Sequence, residues 1–150
     1  MRPAPLLVFL STSIASTACG GSDSPASGQQ QDQTERTTAT ITFDAKWNEA
    51  VDGRLVEGGE AVLVYDDTRL AKCKGEQGGV PQYAVTAYAS VDGAAADTVV
   101  VAGLNAQADP TIELSSAGEL EIWFEVTNKW GCHEWDSDFG NNYRFQVAAE

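Results

Sequence analysis

The stretch Glu119-Leu-Glu-Ile-Trp-Phe-Glu-Val126 alternates strictly between two kinds of side chain. Successive side chains of an extended chain point to opposite faces, so the apolar residues at even positions share one face while Trp123 and three glutamates share the other. The apolar face has to be buried, and the segment therefore predicts a strand with one face in a core and one face outward. On that outward face Trp123 is either covered by a neighbouring loop or open to a ligand.

Six more short runs rich in β-forming residues accompany this strand, and clusters of turn residues separate them. The strongest hairpin signal is Asp92-Gly93, which follows an alternating run. No helical periodicity lasts three turns after about residue 39. We therefore predict an all-β fold, an antiparallel, immunoglobulin-like β-sandwich of about seven to eight strands. The six runs are Thr40–Phe43, Glu60–Tyr65, Tyr83–Val91, Thr98–Val101, Thr111–Leu114 and Tyr143–Val147.

The N-terminus has the features of a secretory signal. Arg2 supplies a positive charge, Ala4–Leu10 form an apolar core too short to span a bilayer, and small residues precede Cys19. This arrangement resembles a bacterial lipoprotein signal, although Ser16 stands where Leu is usual. The resemblance implies that cleavage after residue 18 leaves Cys19 as a lipidated N-terminus. In an ordinary signal peptide Cys19 would instead be removed or remain a free thiol.

Residues 20–37 (GGSDSPASGQQQDQTERT) contain almost no apolar side chain and bury too little surface to fold. They predict a flexible tether, so the chain divides into a signal peptide (1–18), a tether (19–38) and a β-sandwich domain (39–150). We expect an exported protein of the cell envelope that meets the membrane through its own lipid anchor. Because Gly20 is not Asp, the same resemblance implies sorting to the outer membrane if the cell is Gram-negative.

The net charge bears on the possible partners, and the cysteines bear on a disulfide and a metal site. The net charge of −13, or −14 once residues 1–18 and their single Arg2 are removed, argues against nucleic acid and anionic lipid, because both need a basic surface. With Cys19 assigned to lipid, Cys73 and Cys132 remain as a pair in an oxidising compartment, and we predict a disulfide worth roughly 4 kcal/mol. Two cysteines and the single His133 give no four-ligand zinc set, so no cofactor is predicted.

The segment Trp130–Tyr143 is predicted to be a long loop before the last strand, where binding residues are common. Its rings, amides and carboxylates are groups that stack on sugars and hydrogen-bond them. Its second part, Trp135-Asp-Ser-Asp-Phe-Gly-Asn-Asn-Tyr143, is similar to the closing motif of the family 21 carbohydrate-binding modules, which are starch- and glycogen-binding β-sandwiches. The resemblance implies that Trp135 stacks against glucose and Asn142 hydrogen-bonds it, while Ser137 departs from the expected Asn.

This segment also has an interpretation without a ligand. In that alternative Asp136, Asn142 and Tyr143 tie the loop to its own backbone, and Trp135 packs beside the disulfide. If a sugar does bind, Trp47 or Trp130 is expected to supply a second stacking platform. The full set of predicted ligand-binding residues is Trp135, Asp136, Asn142, Tyr143, Trp130 and Trp47.

A larger part of the chain, from Thr40 to Val147, is similar to an uncharacterised family of exported bacterial β-sandwich lipoprotein domains. The motifs that carry this resemblance are Ile-Thr-Phe-Asp, Arg-Leu-x-x-Cys and Trp-Gly-Cys-x-x-Trp-Asp-Ser. They are found here at Ile41–Asp44, Arg69–Cys73 and Trp130–Ser137. This resemblance covers nearly all of the predicted domain but implies no activity.

The sequence gives weaker indications of a calcium site and of a catalytic centre. Asp136 and Asp138 with Gly140 resemble an oxygen-rich calcium loop, but Phe139 stands where a third oxygen ligand is needed. No catalytic centre is predicted, because no Gly-x-Ser-x-Gly occurs and acids are abundant enough for a glycosidase-like pair to arise by chance. The sequence thus predicts a non-catalytic envelope lipoprotein that binds an α-glucan-like polysaccharide. The alternative is a structural or protein-protein interaction module of the envelope with no sugar ligand.

Overall fold

A computed structural model describes residues 36–150 of the chain. The predicted signal peptide, the proposed lipidation site Cys19 and most of the predicted tether lie outside these residues. In the described part of the chain no helix has the length and apolar character needed to cross a bilayer. The strands are β1 (Thr38–Phe43), β2 (Glu49–Asp52), β3 (Glu60–Tyr65), β4 (Glu76–Gln77), β5 (Val80–Pro81), β6 (Tyr83–Val91), β7 (Asp97–Gly103), β8 (Thr111–Glu113), β9 (Gly118–Asn128), β10 (His133–Asp136) and β11 (Tyr143–Val147), with 3₁₀ turns at Asp67–Leu70 and Asp138–Gly140.

The predicted all-β sandwich is confirmed, and each of the seven predicted runs is a strand. Two details differ from the prediction. First, β1 pairs with β3 in parallel, although the other main pairs are antiparallel. Second, four short strands are added, among them β2, whose residues are all exposed. A strand without a buried face has no alternation of apolar and polar residues, so its sequence carries no signal.

Two sheets enclose the core. One has the strand order β2-β1-β3-β8, and the other has the order β10-β9-β6-β7, with β11 also paired to β9. Phe43 of the first sheet meets Phe124 of the second edge to face, with ring centroids 4.7 Å apart. The inward residues of β9 are buried and its outward residues are not, as its alternation predicts. The largest fully buried side chains are Phe43, Phe124, Ile41, Leu63, Leu114, Leu120 and Ile122.

The chain from β10 to β11 follows a single edge of β9 with one interruption. Asp136 pairs with Phe124 and Tyr143 pairs with Ile122, so residues 137–142 stand opposite Trp123 alone. We call these six residues the 137–142 bulge. Its backbone is in the left-handed region at four positions, with φ of 43° at Asp138, 55° at Phe139, 93° at Gly140 and 59° at Asn142.

The segment Trp130–Tyr143 is therefore not one long loop, and the prediction was wrong on this point. Residues His133–Asp136 form a strand because they pair with the C-terminal end of β9. Only the tight β9–β10 connection and the 137–142 bulge lack strand structure. The strand conformation of His133–Asp136 depends on long-range pairing with β9, which the local sequence does not indicate.

Candidate ligand-binding groove

A groove of about 590 Å³ lies where the two sheets present their edge strands β2 and β10. The 137–142 bulge forms one of its walls, and the turn between β1 and β2 contributes Trp47. None of the described residues that line it is basic. The lining residues are Trp47, Glu49, Trp135, Asp136, Ser137, Asp138, Phe139, Gly140 and Tyr143.

The floor of the groove is a buried ion pair inside a hydrogen-bond cluster. The side chains of Arg69 and Asp136 are 0% and 1% exposed, and Arg69 Nε donates to Asp136 Oδ2 over 2.9 Å. Tyr65 donates its hydroxyl to the same oxygen over 2.9 Å, and the Tyr143 hydroxyl donates to Oδ1. Arg69 Nη2 donates to the Tyr143 oxygen at 2.6 Å and to Glu49 at 3.2 Å. Both oxygens of Asp136 thus accept hydrogen bonds, from three donors in all, which offsets the cost of burying its charge.

Burial and the neighbouring carboxylate fix the protonation of this floor. Burial raises the pKa of Tyr65 and of Tyr143 above the ordinary phenol value, and Asp136 raises both further. Burial opposes the charge on Arg69, but Asp136, Tyr143 and Glu49 together outweigh it, so the pKa of Arg69 lies above its ordinary value. Both phenols therefore stay protonated and act as donors to Asp136.

A 3₁₀ turn and the disulfide hold Arg69 in place. Asp66 caps the turn by accepting from the Thr68 amide at 2.9 Å, and the Thr68 hydrogen bonds lower the pKa of Asp66. Three residues after the turn, Cys73 is bonded to Cys132, which confirms the predicted disulfide. The disulfide and the ion pair therefore join the same two segments, the one around the turn and the one that leads into β10.

The rim of the groove consists of exposed aromatic rings. Trp47 is 56% exposed, Trp135 is 52% exposed and Phe139 is wholly exposed at the end of the bulge. The Trp47 ring lies over the buried guanidinium, with Arg69 Cζ 4.6 Å from the ring centroid. Trp47 is held by a tight turn in which Asp44 accepts from the Asn48 amide at 2.9 Å. Three large rings exposed in one concave surface are typical of a binding site, because isolated surface apolar residues do not converge in this way.

Four of the six predicted ligand-binding residues meet in this groove: Trp47, Trp135, Asp136 and Tyr143. Asp136 and Tyr143 are buried, so they position the rim and present little surface of their own. Their partners are Arg69 and Tyr65 on other segments, and the alternative in which they bind the backbone of their own loop does not describe them.

The other two predicted residues lie elsewhere. Asn142 lines an adjoining depression and donates to Glu121 at 3.3 Å. Trp130 is 59% exposed but sits in the β9–β10 connection, where its ring covers Gly75 and lies 4.9 Å from Lys129 Nζ. Trp135 packs against Tyr88, with ring centroids 5.9 Å apart.

The weaker calcium prediction finds little support in this geometry. Both oxygens of Asp136 accept hydrogen bonds from protein donors, and Asp138 lies exposed in the bulge. Among residues 36–150 no group of three or more His, Cys, Asp or Glu side chains is placed to hold a metal ion.

Three residues of the groove were not found from the sequence. Arg69 was visible only as the first letter of the Arg-Leu-x-x-Cys motif, and Glu49 only as one of many acids. Phe139 entered the sequence analysis only as a mismatch to a calcium loop. A large apolar residue between Asp138 and Gly140 was nevertheless a signal for an exposed ring. The partners of a buried arginine are distant in sequence, so no local pattern reveals them.

Fold and groove together define a disulfide-bonded, all-β sandwich domain with an aromatic groove at its sheet edges. The chain belongs to a family of unknown function, DUF6209, whose family model matches residues 7–148. This agrees with the predicted membership of an uncharacterised family and assigns no activity. No curated protein and no solved structure matched the chain.

Proposed function

We propose that this domain is a non-catalytic binding module of the cell envelope that holds a polysaccharide of the α-glucan type in the groove between β2 and β10. The observation that carries the proposal is the convergence of three exposed rings, those of Trp47, Trp135 and Phe139, on one concave surface. Flat aromatic rings bind the apolar faces of pyranose units by stacking and burial of surface.

Polar groups beside the rings suit the hydroxyl groups of a sugar. Glu49 and Asp138 offer carboxylate oxygens as acceptors, and Ser137 offers a hydroxyl that both donates and accepts. The net charge of −13 and the absence of basic residues from the described groove lining disfavour an anionic polymer. The resemblance to family 21 carbohydrate-binding modules supports the same role for Trp135, while Asn142 would meet the ligand only where it extends into the adjoining depression.

A binding role is favoured over catalysis by the state of the carboxylates. Asp136 is the one buried acid at the groove, and both of its oxygens already accept hydrogen bonds from Arg69 and two tyrosines, which favours a structural role for this carboxylate. His133 is exposed, and its Nδ1 lies 3.5 Å from Glu125 on the outer face of the sheet. It does not line the groove.

Binding can be tested by isothermal titration calorimetry of the full chain against glycogen and soluble starch. We expect Trp47→Ala and Trp135→Ala each to weaken binding by roughly tenfold or more, because each removes a stacking platform. Trp130→Ala is the matched control, since Trp130 is exposed to the same degree but lies outside the groove. No heat with either polysaccharide, or equal binding by all three variants, would overturn the proposal.

The envelope location is a separate part of the proposal and has its own test. It rests on the lipoprotein-like signal before Cys19 and the polar tether that follows it. The intact mass of the protein isolated from its host should correspond to residues 19–150 with acyl groups on Cys19. A mature chain that starts at another residue, or that carries no lipid, would contradict the anchor and leave the groove proposal untouched.

One observation favours a second candidate function, that of a protein-interaction module of the envelope. Phe139 is fully exposed at the end of the 137–142 bulge, and a single protruding ring is a common anchor in protein interfaces. A photo-crosslinking residue at position 139 in living cells should then give one discrete protein adduct. If the groove binds glucan and no adduct forms, this second candidate is wrong.

A further inference from the structure

The outer face of the five-stranded sheet carries a second group of aromatic rings. Tyr88 of β6 and Trp123 of β9 are stacked, with ring centroids 5.6 Å apart and planes inclined by 4°. Trp135 of β10 joins them, with its centroid 5.9 Å from that of Tyr88. We call these three rings the outer-face strip.

Strand register explains the strip. Tyr88 is directly opposite Trp123, and Trp135 is opposite Glu125, so the three rings come from outward positions of three adjacent strands. Tyr88 and Trp123 are partly exposed and Trp135 is 52% exposed. Tyr88 is oriented by its hydroxyl, which donates to Glu125 over 2.9 Å. This answers the question raised by the sequence: Trp123 is partly covered by Tyr88, and the face remains accessible.

Trp135 belongs to both surfaces. It lines the groove together with Trp47, and it also contacts Tyr88 in the outer-face strip. A cross-strand aromatic pair that only stabilised the sheet would account for Tyr88 and Trp123 but would have no need to meet the groove. The shared ring connects the groove to the outer-face strip, because Trp135 lines the groove and contacts Tyr88, which stacks on Trp123.

We propose that the outer-face strip is a second subsite of the binding surface, occupied by the units of a polysaccharide chain that extend beyond the groove. The inference rests on the proposed sugar-binding function of the groove and specifies its ligand as an extended chain of several units. Glu121 and Glu125 flank the strip on β9. Glu121 pairs with Arg144 at 2.9 Å and Glu125 accepts from the Tyr88 hydroxyl, and the acceptor positions that remain on these partly exposed carboxylates suit hydroxyl donors of a neutral sugar chain.

The test compares a short and a long ligand on the full chain, with maltose and maltoheptaose as the probes in calorimetry. Wild-type protein should bind maltoheptaose roughly tenfold more tightly than maltose, because the longer chain reaches both surfaces. Trp123→Thr, which keeps a good strand-forming residue, should remove that gain and leave maltose binding unchanged. Trp47→Ala should weaken both ligands, and Trp130→Ala should affect neither.

Tyr88→Thr provides a second variant of the strip should Trp123→Thr fail to fold, and circular dichroism establishes folding for each protein. Equal binding of the two ligands by wild type, or full retention of the gain by the folded strip variants, would overturn the second subsite while leaving the groove as a short binding site. Absence of binding for both ligands in wild type would instead overturn the groove and the strip together.

Discussion

The floor and the rim of the groove come from neighbouring residues but have opposite environments. On β10 the side chain of Asp136 is 1% exposed, whereas Trp135 beside it is 52% exposed. The floor is a closed set of hydrogen bonds among Asp136, Arg69 and two tyrosines, and the rim is a set of rings with unused surface. The comparison shows that strand alternation alone can separate residues that hold the structure from residues that are free to bind.

The largest expected effect concerns the disulfide that fastens the floor. The double variant Cys73→Ala/Cys132→Ala should lose about 4 kcal/mol of the free energy of unfolding, because the bond closes a loop with a sequence separation of 59. Urea denaturation with and without reductant measures the effect, and the double variant should no longer respond to reductant. A loss below about 1 kcal/mol would show that the noncovalent floor suffices.

The next effect concerns the buried charge. Asp136→Asn leaves Arg69 buried without its main counter-charge and should cost about 3 kcal/mol. The double variant Arg69→Met/Asp136→Leu should recover part of this loss, because it removes both charges and keeps apolar volume. Denaturation curves of the two variants make the comparison. If Asp136→Asn is as stable as wild type, the floor is not held by the ion pair.

Alkaline pH should weaken the phenol hydrogen bonds of the floor and the bond from Tyr83 to Asp67, and should leave the rim unaffected. Burial raises the pKa of Tyr65 and Tyr143, and the hydrogen bond to Asp67 with burial raises the pKa of Tyr83 to about 12. Folding therefore favours the protonated phenols, and their contribution is complete below the unfolded phenol pKa of about 10 and falls above it, by about 1.4 kcal/mol per pH unit for each phenol. Urea denaturation at several values between pH 8 and pH 11 measures this.

A control variant for the alkaline effect is Tyr83→Phe, which removes one of the shifted phenols without touching Asp136. Its stability should fall less steeply with pH than that of wild type. A free energy of unfolding that stays constant up to pH 11 would contradict the assigned roles of the phenols.

The smallest effect is expected at the rim. Phe139→Ser should change the free energy of unfolding by no more than about 0.5 kcal/mol, because the ring is fully exposed and contributes no buried surface. The expected loss of unfolding free energy for Asp136→Asn would then be about six times that for Phe139→Ser, although the two residues are close in sequence. A loss above 1 kcal/mol in the same urea experiment would mean that the rim also serves the structure.

Most of the fold could be predicted because alternating apolar and polar residues indicate a strand and show which of its faces is buried. In β9 the even positions from Leu120 to Val126 are apolar, and all of them are buried. By contrast β2 has no buried residue, and β10 is a strand only because β9 extends far enough to pair with it. Edge strands of this kind depend on tertiary partners, which local sequence patterns do not contain.

The sequence predicted residues of the rim of the groove, but not the ion pair of its floor. Trp135 was predicted through the resemblance to the family 21 modules, and Trp47 was named with Trp130 as a second stacking platform. The floor unites Arg69 with Asp136 across 67 positions, and such a pairing has no local signature. The same limit applies to Tyr143, whose hydroxyl is held between Arg69 and Asp136, partners that the local sequence does not indicate.

The number of residues in the 137–142 bulge does not determine the strand pairing of the sandwich. Strand pairing stops at Asp136 and resumes at Tyr143, and the hydrogen bond between these two side chains clamps the base of the insertion. We expect that the segment between the clamp points tolerates insertions, deletions and substitutions, because the inward-facing positions of β9 keep their partners on either side of it. The bulge is therefore the position at which an engineered version of this domain can be given a different binding segment on an unchanged framework.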